Sequence, residues 1–328
     1  MTQPCRTTRH ARLASLAALT ASGLLLTAVP AATSAASFTG LYVFGDSLSD
    51  NGNLLALTEQ AFGAGNGVPP VPYFQGRFSN GPVAVEYLAT GLGLTAGQLH
   101  DMAIAGATSG VDGQFPGTGL QNQVAGYVTA LGALPADNQA LYVVWAGAND
   151  FLHGDLNTYP SIISTAVSNL TTAVSNLHAA GATDFLLPLL PDLGATPRAT
   201  ALGPATAGFL SFVSGSFNDA LRVGYASLAN SWTDEHFHYF DTSAVQHASM
   251  LAAAAAGKNI TDACFDASVP SLCANYGANY YYFDDIHPST LTHQALAAGM
   301  LAAVPEPQTM LMMAAGLLAL LAAARRRA

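Results

Sequence analysis

The chain has 328 residues, 51% of them hydrophobic, enough for a large buried core in one domain or two. Its formal net charge is −10, but six of its ten basic residues (Arg6, Arg9, Arg12, Arg325, Arg326 and Arg327) sit at the extreme ends. Residues 37–304 therefore keep four basic against nineteen acidic residues, and a body carrying −15 repels nucleic acid and anionic lipid surfaces, which excludes nucleic-acid binding.

In chain order, three arginines precede an apolar stretch over about 13–29, followed by the small residues Ser34, Ala35 and Ala36. This is the order of a secretory signal peptide (1–36) cut near Ala35 or Ala36, with a membrane anchor as the alternative. The body, 37–304, alternates short apolar runs with longer connections. Candidate strands cover 41–44, 102–105, 141–145, 185–187 and 238–240, which predicts a parallel sheet covered by helices on both faces, in a single domain. Helical spacing is clearest over 161–180 (Ile162, Ala166, Leu170, Val174, Leu177) and 206–229 (Leu210, Val213, Phe217, Leu221). The segment 63–72, rich in Gly and Pro, reads as a surface loop. Once Cys5 leaves with the signal, only Cys264 and Cys273 remain, a disulfide pair for an exported chain or, less well supported, part of a zinc site.

Three residues with complementary chemistry follow the first three strands: Ser47, Gly106 and Asn149. Ligands of open parallel sheets bind at the carboxyl ends of strands, so one edge can collect all three. Ser47 is the candidate nucleophile, which needs an adjacent base; capping a helix is its plainer reading. Asp284 and His287, three residues apart and closed by Pro288, supply an orienting acid and a base from one short segment, or else a helix start. Gly106 and Asn149 could offer a backbone N–H and a side-chain amide to an oxyanion, or could be a turn and a cap. The aromatics Tyr42, Tyr73, Phe74 and Phe78, with the run Tyr280, Tyr281, Tyr282 and Phe283, line a cleft or fill a core.

Taken together, the segments resemble the four sequence blocks of the SGNH, or GDSL, hydrolase family: Gly45-Asp46-Ser47-Leu48, Gly106, Gly147-Ala148-Asn149-Asp150, and Asp284-Asp285-Ile286-His287-Pro288. Further likeness lies in Arg77-Phe78-Ser79-Asn80-Gly81-Pro82, Leu190-Pro191-Asp192-Leu193-Gly194 and Phe217-Asn218, and the extended GDSLSDNGN of residues 45–53 is similar to the bacterial lipase/esterase branch. The resemblance implies an α/β fold, a three-layer α/β/α sandwich with a five-stranded parallel, flavodoxin-like sheet. It also implies a Ser47–His287–Asp284 triad, an oxyanion hole from Ser47, Gly106 and Asn149, and no cofactor or metal. One departure is Ala105, where this branch often has a second glycine. No Gly-x-Ser-x-Gly occurs, which disfavours an α/β-hydrolase elbow.

At the far end, Pro305-Glu306-Pro307 precedes an apolar run from Met310 to Ala324 and three arginines. The run is slightly shorter than the roughly 17–25 residues of a comfortable span. This segment, 305–328 with a transmembrane stretch at about 309–324, resembles the PEP-CTERM sorting signal. That likeness implies an exported protein of a Gram-negative bacterium, held transiently at the inner membrane and released to the periplasm, surface or medium by an exosortase-type protease. The expected function is a secreted serine esterase or lipase acting on a small-molecule or lipid ester. The alternatives are a carbohydrate O-acetyl esterase acting on acetylated polysaccharide, a non-catalytic glycan-binding surface protein, and a metal-dependent hydrolase built on Asp46, Asp50, Asp284, Asp285 and His287.

Overall fold

The computed structural model describes residues 38–233, 235–268 and 271–304. The predicted signal peptide, the C-terminal sorting signal and its transmembrane stretch lie outside the described residues.

Five strands form one sheet: β1 (Leu41–Gly45), β2 (Leu99–Asp101), β3 (Leu141–Trp145), β4 (Asp184–Pro188) and β5 (His236–Phe240). They run parallel in the order β2-β1-β3-β4-β5. The central strand β3 reads Leu-Tyr-Val-Val-Trp and is buried throughout, because both faces of a parallel sheet are covered. Its side chains alternate between two cores. Tyr142 and Val144 join Phe44, Phe185 and Leu187 in one, while Leu141, Val143 and Trp145 join Val43 and Leu186 in the other.

Helices α3 (Leu120–Leu131), α5 (Tyr159–Ala180) and α7 (Pro204–Ser231) cover the first face. Helices α2 (Ala84–Gly91) and α9 (Thr290–Ala303) cover the second, with α8 (Thr242–Ala255) against α9. Shorter helices α1 (Asn53–Phe62), α4 (Ala148–Leu152) and α6 (Pro197–Ala201) sit in the connections. The three-layer α/β/α architecture is thus the expected one. In α5 the predicted stripe Ala166, Leu170, Val174 and Leu177 is buried, and in α7 so are Leu210, Val213, Phe217 and Leu221. Among the described residues no helix is long and apolar enough to cross a membrane.

One strand differs in place. The apolar run 102–105 is not the second strand, which lies three residues earlier in the polar Leu-His-Asp of β2. Met102 and Ile104 still donate to the carbonyls of Val43 and Gly45. On the open edge, however, Asn53 Nδ2 takes the carbonyls of Asp101 and Ala103, and Ala105 N–H goes to Asp50. Side chains occupy the hydrogen bonds that a further strand would need, and the run becomes a shaped loop beside β1.

Outside the main sheet, β6 (Asn259–Ala263) pairs with β9 (Tyr280–Tyr282). A small hairpin, β7 (Phe265–Asp266) with β8 (Ser271–Leu272), is closed by a Cys264–Cys273 disulfide.

Candidate active site

Ser47 sits in the turn that leaves β1. Gly45 is required there, since a Cβ would collide with the Trp145 carbonyl of β3. Gln123 of α3 holds the same residue from below, its amide bonding both Gly45 N and Gly45 O at 2.9 Å. The Asp46 carbonyl accepts from the N–H groups of Ser49 and Asp50, and its carboxylate accepts from Leu48 N–H, which closes the turn around Ser47. Helix α1 begins only at Asn53, and its first N–H groups are taken by the Asp50 carboxylate at 2.6–3.1 Å. Asp50, not Ser47, therefore caps the helix, which removes the plainer reading of this serine.

Asp50 also reaches the next loop, accepting from Ala105 N–H at 2.7 Å. Gly106 follows with φ +80°, and a Cβ there would meet the Cβ of Gln114 at 2.7 Å, so the position demands glycine. From the third strand end, Asn149 in the first turn of α4 donates its amide to the Ala107 carbonyl at 3.0 Å. The neighbouring Asp150 staples the same two loops, accepting from the N–H and hydroxyl of Ser109 at 2.8 and 2.6 Å. Neither Asp50 nor Asp150 was read as a positioning residue from sequence. Their signal was present, as acids beside Ser47 and Asn149, but their partners lie 55 and 41 residues away.

Asp284 and His287 arrive from the opposite side. Asp284 Oδ1 accepts from the N–H groups of Ile286 and His287 at 2.9 and 2.6 Å, folding the segment back on itself. Oδ2 then accepts from His287 Nδ1 at 2.7 Å, which leaves Nε2 to accept the Ser47 hydroxyl at 2.8 Å. Tyr73 donates its hydroxyl to the same Oδ2, also at 2.7 Å. The Tyr73 ring packs on Phe78, Phe265 and Phe283, and Phe78 lies 4.9 Å from the His287 ring. Ser79 and Asn80 complete the hold, bonding Pro288 O and Thr290 N. Arg198 pairs with Asp285 at 2.7 and 3.0 Å and anchors the outer side.

Electrostatics separate the carboxylates. Burial alone would raise Asp284, but the His287 charge and the hydrogen bonds from His287 and Ile286 hold it below its ordinary value. Burial pushes Asp46 up to about 7, against the opposing pull of the Leu48 N–H and of His287. Burial, with the nearby His287 charge, depresses His293 to about 3; its Nδ1 accepts from Ala84 N–H. Among the described residues no group of three or more His, Cys, Asp or Glu converges as a metal site. Asp50 is spent on backbone N–H groups and Asp285 on Arg198, so the carboxylates of the metal alternative are already engaged. The aromatics divide: half-buried Tyr42 stacks on the buried Tyr142 at the edge of the core, whereas Tyr73 and Phe78 support the Asp284–His287 segment.

The chain is 28% identical to the thermolabile hemolysin of Vibrio parahaemolyticus over 284 residues, 78% of this chain and 62% of that one. It is 32% identical to a phosphatidylcholine-sterol acyltransferase of Aeromonas hydrophila over 187 residues, 54% of this chain and 52% of that one. It thus spans only about half (52%) to three fifths (62%) of these curated relatives. A lipolytic G-D-S-L family protein from Veillonella parvula is similar in structure, at 15% identity and a TM-score of 0.44, covering 80% of this chain and 96% of that one. Residues 303–327 match the PEP-CTERM protein-sorting motif, which indicates export-directed sorting in Gram-negative bacteria. Residues 41–300 match the GDSL-like Lipase/Acylhydrolase family, and the chain belongs to that family.

Proposed function

We propose that this protein is an exported serine esterase that works through an acyl-enzyme on Ser47. The observation that carries the reading is the continuous hydrogen-bond line from Ser47 Oγ through His287 to Asp284, with links of 2.8 and 2.7 Å. A serine hydroxyl becomes an effective nucleophile only when a base removes its proton as it attacks. His287 Nε2 is within reach to do so, and Asp284 holds the ring by Nδ1 and stabilises the imidazolium that forms.

In the first step Ser47 Oγ bonds to the ester carbonyl carbon and its proton passes to His287 Nε2. The negative oxygen is met by the backbone N–H groups of Ser47 and Gly106 and by the Asn149 amide. One Asn149 amide hydrogen is committed to Ala107 O, which orients the other. The carbon–oxygen bond to the alcohol then breaks, and Nε2 returns its proton to the leaving oxygen. Water repeats the sequence on the acyl-serine, releasing the acid and restoring Ser47. Tyr73 acts through Asp284 as a positioning residue.

Residues 1–36 direct export in this reading. Residues 305–328 hold the chain at the inner membrane until an exosortase-type protease removes them, leaving the hydrolase domain of 37–304 in the periplasm or at the surface. The test is hydrolysis of p-nitrophenyl esters together with fluorophosphonate labelling. Ser47→Ala is expected to lose both while keeping its circular dichroism, with turnover down on the order of 10⁴-fold or more. Retained turnover in that variant would overturn the assignment.

A further inference from the structure

Beside the Asp284–His287 segment lies the hairpin closed by Cys264 and Cys273. The chain entering it is bonded to the residues that lead into Asp284. Phe265 N–H donates to Phe283 O at 2.7 Å, and Cys264 N–H to Tyr282 O at 3.3 Å. The Phe265 ring meets Tyr73 edge-on at 5.5 Å, and Tyr73 is the donor to Asp284 Oδ2. Across the bridge, Tyr276 grips the segment that carries Tyr73 at both of its ends. Its hydroxyl donates to Pro72 O, and its carbonyl accepts from Asn80 Nδ2 at 2.6 Å. Gly277 is pressed between Asn80 and the bridge, where a Cβ would meet Asn80 Nδ2 at 2.8 Å and Cys264 Sγ at 3.3 Å. Asn275 and Tyr276 hold φ of 57° and 51°, a left-handed conformation that their surroundings must impose.

Residues 72–80 contain neither helix nor strand, so Tyr73 is placed by what packs around it. The hairpin pairs Phe265 with Leu272 and Asp266 with Ser271, too short a ladder to hold itself. The covalent bridge restrains it instead. Cys264 is buried and Cys273 half-buried, which leaves the bond open to a dithiol from the Cys273 side. We propose that this hairpin is a positioning element for Tyr73, and that closing its disulfide brings the hydrolase to full turnover. With free thiols, Phe265 and Tyr276 loosen, Tyr73 drifts from Asp284, and His287 is held less well. Closure removes two protons and two electrons from the thiols. A disulfide-bearing oxidant takes them up by exchange and leaves as a dithiol. Such oxidants act outside the cytoplasm, so full activity follows export. The inference rests on the serine-esterase reading above and adds a control on the same site.

The test is kcat and KM of the purified full chain for p-nitrophenyl butyrate in three states: bridged, reduced with dithiothreitol that is then removed, and re-oxidised with oxidised glutathione. Reduction is expected to lower kcat about tenfold with KM nearly unchanged, the size expected for losing the Tyr73 hydrogen bond. Re-oxidation should restore it. In Tyr73→Phe the same reduction should cost less than about twofold, because the bond it loosens is already gone. Cys264→Ala/Cys273→Ala should match the reduced enzyme and ignore dithiothreitol. Phe265→Leu leaves the bridge intact and keeps the test decisive if the reduced chain loses its circular dichroism. It should lower kcat about threefold in the wild type and leave Tyr73→Phe unmoved. An unchanged kcat in both the reduced protein and Phe265→Leu overturns the inference and leaves the esterase intact. So does a loss of the same size in the Tyr73→Phe background. Absence of hydrolysis by the bridged wild type with every ester would instead overturn the esterase reading, and the inference with it.

Discussion

Ser47 and His287 meet in one hydrogen bond but are placed by different means. The turn carrying Ser47 is an extension of the sheet: β1 is paired on both sides, Gly45 lies against β3, and Gln123 and Asp50 fix it through backbone groups. The segment carrying His287 hangs outside the main sheet. It is held by side chains of residues 73–80, by Arg198 and by its own Asp284 turn. The candidate nucleophile sits in a turn fixed by the sheet, whereas the candidate base sits on a loop that leans on side chains together with a few backbone bonds such as Phe283 N–H to His287 O. The two halves should therefore answer differently to mutation.

Asp284→Asn carries the largest expected effect on the looser half. The amide oxygen can still accept from Ile286 and His287 N–H, so the loop should fold, but the acceptor for His287 Nδ1–H is lost. Turnover is expected to fall by about 10⁴-fold with little change in Tm. If both fell together, the segment would depend on the carboxylate for its shape as well as for chemistry.

Tyr73→Phe comes next, at about a tenfold loss of kcat/KM. The tyrosine donates to the oxygen that also serves His287, so removing it leaves more negative charge facing the imidazolium. The acid limb of the pH–rate profile should then move to higher pH. A loss of rate with an unmoved limb would reduce Tyr73 to packing against Phe78 and Phe283.

The effects furthest from catalysis are on stability, and they carry opposite signs in the two halves. On the Ser47 side, Asp46 titrates near 7 in the folded protein against 3.8 for the free side chain. Between these values the folded state keeps a proton that the unfolded chain has released, so stability falls as pH rises from about 4 to 7. Asp46→Asn should flatten that slope, by an amount on the order of a few kcal/mol at neutral pH. On the His287 side, His293 is held neutral down to about 3 against 6.5 unfolded. Here the unfolded chain takes up the proton first, so stability falls as pH drops from 6.5 toward 3, and His293→Gln should flatten that slope instead. Urea unfolding across this pH range checks both. Slopes of the same sign would show that the two halves do not differ in this respect.

Much of the site was legible because its chemistry is carried by residues with few substitutes. A serine after a strand, an acid and histidine three apart, and an asparagine after the central strand each have a plainer use alone, and only together do they narrow the choice. Tyr73 was not legible as an Asp284 partner, because 211 residues separate them and an aromatic beside glycines and prolines has many uses. The run 102–105 misled for a related reason. Its apolar composition records burial, while its departure from strand geometry comes from Asn53 and Asp50, about fifty residues earlier.

By itself the sequence determined the alternation of strands and helices, the parallel sheet, and the candidate reacting groups with the order in which they occur. These follow from periodicity and side-chain chemistry, which are local properties. Only the tertiary structure decided that Asp50 rather than Ser47 caps α1, that Asp150 ties the Asn149 helix to the Ser109 loop, and that Tyr73 reaches Asp284. Each of these depends on which distant hydrogen-bonding groups and side chains the fold brings within reach, and no short window of sequence contains both partners.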